Sequence, residues 1–154
     1  MAERALVLDA NILIRATMGR RVRQLLERYA TTVDFLAPDS AFLEAEEHLA
    51  ELCAKFDVSL NVVRAVYEGV SKIVQELPAA VYGEQRAAAH ARIARVDPED
   101  WPVIACALAL ECPIWTEDRD FFGAGVPTWT TDRVELYLAH TMPQKSEGTP
   151  PSGA

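Results

Sequence analysis

The sequence predicts an α/β fold in which a parallel sheet is covered by helices on both faces. Short apolar runs, too brief for helices, alternate with longer segments of helical spacing. The runs are continuously apolar, as strands buried on both faces are. Half of the 154 residues are hydrophobic and only seven are glycine, so the chain can close a core of its own.

Ala5-Leu6-Val7-Leu8 reads as a strand that ends in Asp9. From Ile12 to Ala30 the apolar spacing turns helical, with a break near Gly19. Val33 to Ala37 is a second strand, stopped by Pro38. Ser40 to Phe56 is a helix whose stripe includes Phe42, Leu43, Leu49, Leu52 and Cys53. Asp57-Val58-Ser59 is a turn with Ser59 placed as an N-cap. The next helix extends to Leu77, before Pro78, on the row Val62, Val66, Val70, Ile73 and Leu77. A loop leads to an Ala-rich helix over Glu84 to Ala94. Asp97-Pro98-Glu99-Asp100 is a turn, and a helix follows to Leu110. Pro113 to Thr116 is a third strand, Val126 to Thr130 a fourth, and Asp132 to Ala139 a last short helix. Residues 1–140 are expected to form one domain. The Pro-, Gly-, Ser- and Thr-rich stretch 141–154 is expected to be a disordered tail.

The formal net charge is −8, which argues against a broad basic face for duplex nucleic acid. Cys53, Cys106 and Cys112 are widely spaced and form no CxxC pair, so neither a disulfide framework nor a thiolate zinc site is expected. No apolar run reaches the ~20 residues that span a bilayer, and a reducing cytoplasm fits these features.

In parallel sheets, ligands bind beyond the carboxyl ends of the strands. Asp9 follows the first strand directly. Asp118 and Asp120 follow the third, Glu44 lies early in the helix after the second, and Asp97 and Asp100 open the helix leading to the third. Two carboxylates about 4 Å apart repel by about 1 kcal/mol in water and about 4 kcal/mol at an effective dielectric of about 20. Such a cluster protonates in part or gathers a cation. An oxygen-only donor set suits Mg²⁺ or Mn²⁺ and phosphodiester chemistry. Singly, each acid has a structural reading: Asp9 ends a strand, Asp97 or Asp100 caps a helix, and Asp118 and Asp120 are turn acids. Pro102 in the first turn makes Asp100 the better cap. Capping alone does not bring them to one edge.

Leu8-Asp9-Ala10-Asn11-Ile12-Leu13-Ile14 resembles the opening motif of PIN-domain ribonucleases. Asp100-Trp101-Pro102-Val103-Ile104-Ala105-Cys106-Ala107-Leu108 resembles their third-acid helix start, and Thr116-Glu117-Asp118-Arg119-Asp120-Phe121 their fourth-acid segment, T-x-D-x-D-F. Glu44, six residues past Pro38, fits the second acid, and Glu47 lies one turn away on nearly the same face. The resemblance covers residues 5 to 140 and is nearest to the VapC-like toxins. It implies a three-layer α/β/α sandwich and Mg²⁺- or Mn²⁺-dependent RNA cleavage. It carries over Asp9, Glu44, Asp100 and Asp118 as metal-binding catalytic acids. Asn11 and Thr116 would support them, with Asp97 and Asp120 reaching the metal through water. It also implies an RNA substrate and, for toxin members, an antitoxin partner.

Rival readings remain open on the sequence. A phosphatase of the haloacid-dehalogenase type needs a second Asp where Asn11 stands. A catalytically inactive interaction module would keep the fold without the metal. His48, His90 and His140 share no ligand spacing. Arg15, Arg20, Arg21, Arg23 and Arg28 form either a solvated helix face or a patch for RNA phosphates. The Val-rich and Ala-rich helices offer a homodimer face or simply pack on the sheet.

Overall fold

The computed structural model describes residues 4–93 and 97–140; the expected disordered tail lies outside the described residues. Its sheet has five parallel strands: β1 (Arg4–Leu8), β2 (Val33–Pro38), β3 (Val74–Leu77), β4 (Ile114–Trp115) and β5 (Thr128–Trp129). Their order is β3-β2-β1-β4-β5. The chain builds outward from β1 to β2 and β3, then returns to β1's other side for β4. The order therefore reverses between β1 and β4, where such sheets open a crevice at their carboxyl edge.

Side-chain alternation along β1 divides the core in two. Leu6 and Leu8 point to one face and pack with α1 (Ala10–Met18), α2 (Arg21–Tyr29), α3 (Asp39–Phe56), α4 (Leu60–Ile73) and α8 (Val134–Leu138). Val7 points to the other face, with Tyr82 of α5 (Ala79–Tyr82), α6 (Arg86–Ile93) and α7 (Trp101–Leu110). Burying a side chain such as Leu6 or Ile12 contributes about 2 kcal/mol. The expected α/β/α layering is what this two-sided burial produces. α1 ends at Gly19, where an added Cβ would lie 2.9 Å from the Arg15 carbonyl oxygen, so the break expected there has a steric cause.

Three expectations need correction. The helix expected to reach Leu77 stops at Ile73, and Val74–Leu77 becomes an edge strand in register with Phe35–Pro38 of β2. Only the far end of the row Val62-Val66-Val70 is buried: Val62 is 62% exposed and Val66 partly so, while Val70 is buried with Val63 and Tyr67. The loop expected after Pro78 is helical instead, as α5 and a 3-10 turn over Gly83–Gln85 lead into α6. Pro78, extended at ψ 154°, starts that turn without needing its missing N–H.

Candidate acidic metal site

The cleft at the carboxyl edge, about 140 Å³ in volume, is lined by six acids: Asp9, Glu44, Asp97, Glu99, Asp100 and Asp118. Asn11 and Ser40 are polar neighbours, and among the described residues no lysine or arginine lines it.

Asp9 is the most enclosed acid, at 6% exposure. It caps α1, with Oδ1 accepting from the Ile12 N–H at 3.0 Å. Its Oδ2 accepts from the Thr116 hydroxyl at the end of β4. The Thr116 Oγ in turn accepts from the Asp118 N–H at 3.0 Å, and Asp118 Oδ1 accepts from the Asp120 N–H at 2.9 Å. One hydrogen-bonded chain thus links the ends of β1 and β4. Burial pushes the Asp9 carboxyl up to about 6; the Thr116 and Ile12 hydrogen bonds oppose this, while the Asp118 and Glu44 charges add to it.

Asp97 and Asp100 divide their roles differently from the sequence expectation. Asp97 does the capping, accepting from the Glu99 N–H at 3.0 Å ahead of a 3-10 turn over Pro98–Asp100. Asp100 occupies the N-cap position of α7 but makes no capping bond. Burial, then repulsion from Asp97, Asp118, Glu44 and Asp9, raises its carboxyl to about 7. Burial is the first cause of both shifts, neighbouring carboxylates add to it, and among the described residues no cation lines the cleft.

Glu44 stands on α3 one turn beyond Ser40, and its charge acts on both Asp9 and Asp100. Glu46 lines a groove between α3 and α4 instead, and Glu47 does not line the cleft. The sequence underrated Asp120. One carboxylate oxygen from each of Asp100, Asp118 and Asp120 lies within 4.8 Å of the others. The signal for this was the turn itself: Asp118 caps the 3-10 turn Arg119–Phe121 and folds Asp120 back toward it. An all-oxygen set at this spacing is what a hard divalent cation takes. The histidines are elsewhere: His48 is exposed, His90 stacks on Trp101, and His140 lines a groove with α2.

The arginines do not border this cleft. Arg23 donates to the Ala16 and Thr17 carbonyls at the end of α1. Arg21 and Arg28 pair with Glu135 of α8. Arg15, Arg20 and Arg21 rim a separate groove of about 580 Å³ with an apolar floor that includes Ile14, Met18, Val22, Leu52 and Phe56.

Residues 7–139 match the family model described as the PIN domain. The chain belongs to the PIN domain family, whose members are generally nucleases. No curated protein is significantly similar to it in sequence. Among solved structures it is similar to PAE2754 from Pyrobaculum aerophilum, at 14% identity and TM-score 0.69, covering 88% of this chain and 89% of that one. VapBC2 from Rickettsia felis, bound to a DNA fragment from its promoter, is similar at 13% identity and TM-score 0.61, covering 82% and 98%. A toxin–antitoxin complex from Klebsiella pneumoniae is similar at 18% identity and TM-score 0.56, covering 82% and 97%. At these identities the likeness speaks to the fold.

Proposed function

We propose that this chain is a Mg²⁺- or Mn²⁺-dependent endoribonuclease acting as the toxin of a toxin–antitoxin pair. The observation that supports it most is the cleft itself. Acids from four chain segments meet at the strand-order reversal, and two of them hold protons well above the usual carboxylate range. Asp9, Glu44, Asp100 and Asp118 hold the cation, joined by Asp120. When bound, the cation supplies charge compensation for a phosphodiester and activates water at neutral pH. The protein's part is to aim the acids. Thr116 fixes Asp9 and Asp118 through its one hydroxyl, Asp97 stiffens the turn that presents Asp100, and Asn11 and Ser40 offer hydrogen bonds at the rim. No protein nucleophile is required.

The partner reading has its own support. The groove between α1, α2 and the end of α3 leaves Met18 41% and Phe56 61% exposed beneath a basic rim. It suits an antitoxin segment that is apolar on one face and acidic beside it, and two of the similar structures contain toxin–antitoxin proteins.

Cleavage of a mixed RNA pool by wild type, Asp9→Asn and Asp118→Asn, each with Mn²⁺ and with EDTA, tests the activity. Wild type is expected to cleave only with metal, and each variant to lose roughly 100-fold or more. Cleavage in EDTA, or equal cleavage by all three proteins, overturns the assignment. A wild type that takes up no Mn²⁺ and cleaves no RNA favours the interaction module.

A further inference from the structure

The two walls of the cleft carry like charges, and their mutual repulsion must be held. Glu44 and Ser40 stand on the first turns of α3, Asp100 at the start of α7, and the charge of Glu44 acts on Asp100. The helices pack on opposite faces of the sheet, and α3 continues directly from β2.

Tyr82, at the end of α5, reaches both. It is 3% exposed and belongs to the core on the α7 side. Its ring meets Trp101, the residue after Asp100, edge to face with centroids 5.6 Å apart. Trp101 is itself held by His90, stacked at 5.5 Å and 27°, and by the Arg86 guanidinium, 5.1 Å from the ring centre. At its other end the Tyr82 hydroxyl crosses the sheet edge and donates to Asp39, the first residue of α3. The same Asp39 oxygen accepts from the Ser40 N–H at 2.8 Å. A phenylalanine would fill the core equally well. The hydroxyl is the part that needs a reason, and it ends on a carboxylate one residue before the cleft lining.

We infer that Tyr82 is a positioning residue, tying the wall that carries Glu44 to the wall that carries Asp100 and so setting the width of the acidic cleft. The inference rests on the metal reading of that cleft. Tyr82 touches no lining acid, so its loss should cost less than the roughly 10- to 100-fold typical of a group bonded directly to a ligand.

The test is Mn²⁺ affinity, measured by calorimetry on wild type, Tyr82→Phe, Asp39→Ala and the double variant, with apo melting curves alongside. Tyr82→Phe keeps the ring against Trp101, and Asp39→Ala reads the tie from its far end with the tyrosine core untouched. Each single variant is expected to bind Mn²⁺ about fivefold more weakly. The double variant should be no weaker than Asp39→Ala, because the two groups act as one. Wild-type affinity in Tyr82→Phe, even with a lowered melting temperature, overturns the inference and leaves Tyr82 a core residue. Additive losses overturn the tie. A wild type that binds no Mn²⁺ overturns the metal reading instead, and the inference falls with it.

Discussion

Asp9 shows how one residue serves fold and site together. Its carboxylate caps α1 and receives the Thr116 hydroxyl, yet its charge is disfavoured by burial. The sign of the resulting pH dependence follows from the raised value. The folded state binds the proton more tightly than the unfolded chain does. The stabilisation is therefore full below about 3.8 and is lost as pH rises through about 6 for Asp9 and about 7 for Asp100. The metal-free protein is expected to melt at progressively lower temperature between about pH 4 and pH 7. Asp9→Asn should flatten that slope and, since asparagine caps helices as well as aspartate, leave stability at pH 7 within about 1 kcal/mol of wild type. Melting curves across that range decide it: a large loss in the variant makes Asp9 a structural acid. Asp9 was legible in the sequence because it directly follows an apolar run, and Asp118 because it lies two residues past Thr116, at the end of another, where parallel sheets put ligands. The resemblance has Asp120 reaching the metal through water; its place beside Asp118 depends on a 3-10 turn capped by Asp118. The division of labour at Asp97 and Asp100 was not legible, because Asp100 holds the N-cap position that Pro102 marks while the side-chain capping bond belongs to Asp97.

At the scale of elements, the error in the sequence reading lies in the passage from α4 to β3. Val70, Ile73, Val74 and Leu77 suit a helical row as well as a helix end followed by a short strand, and periodicity cannot separate the two. Tertiary context decides: β2 presents an open edge, and Val74–Leu77 satisfies it with a four-residue parallel register. The strand also reorients the upstream helix, so that Val70 is buried and Val62 is left in water. Val70→Ala is expected to cost about 2 kcal/mol, whereas Val62→Ala should stay within about 0.5 kcal/mol of wild type. Chemical denaturation of both variants separates the two faces; comparable losses would restore the Val62 row. β1 and β2 were readable because each is a mostly apolar run closed by an acid or a proline, Asp9 and Pro38. β4 and β5 pair over only two residues apiece, yet Pro113 and Pro127 mark where they begin.

Over the whole molecule, a net charge of −8 must be reconciled with the polyanionic substrate proposed for it. Among the described residues the cleft is lined by no arginine or lysine, and the basic rim of Arg15, Arg20 and Arg21 shares no described lining residue with it. The geometry therefore separates two surfaces that the sequence placed side by side: the acidic cleft proposed for metal and phosphate, and the basic apolar groove proposed for a protein. That separation predicts how RNA binding responds to salt. For single strands the slope of log K against log salt is about −0.7 per phosphate neutralised by the protein. If contact is confined to one or two phosphates at the cleft, the slope in constant Mn²⁺ should be about −0.7 to −1.4. Engagement of all three rim arginines would steepen it by about 2 further units. Arg15→Glu/Arg20→Glu should leave that slope and the cleavage rate unchanged while weakening capture of an acidic amphipathic protein segment. Fluorescence anisotropy with a short labelled RNA, across a salt series, reads the slope for wild type and variant. A wild-type slope near −3 that becomes shallow in the variant assigns the arginines to RNA and overturns the two-surface arrangement.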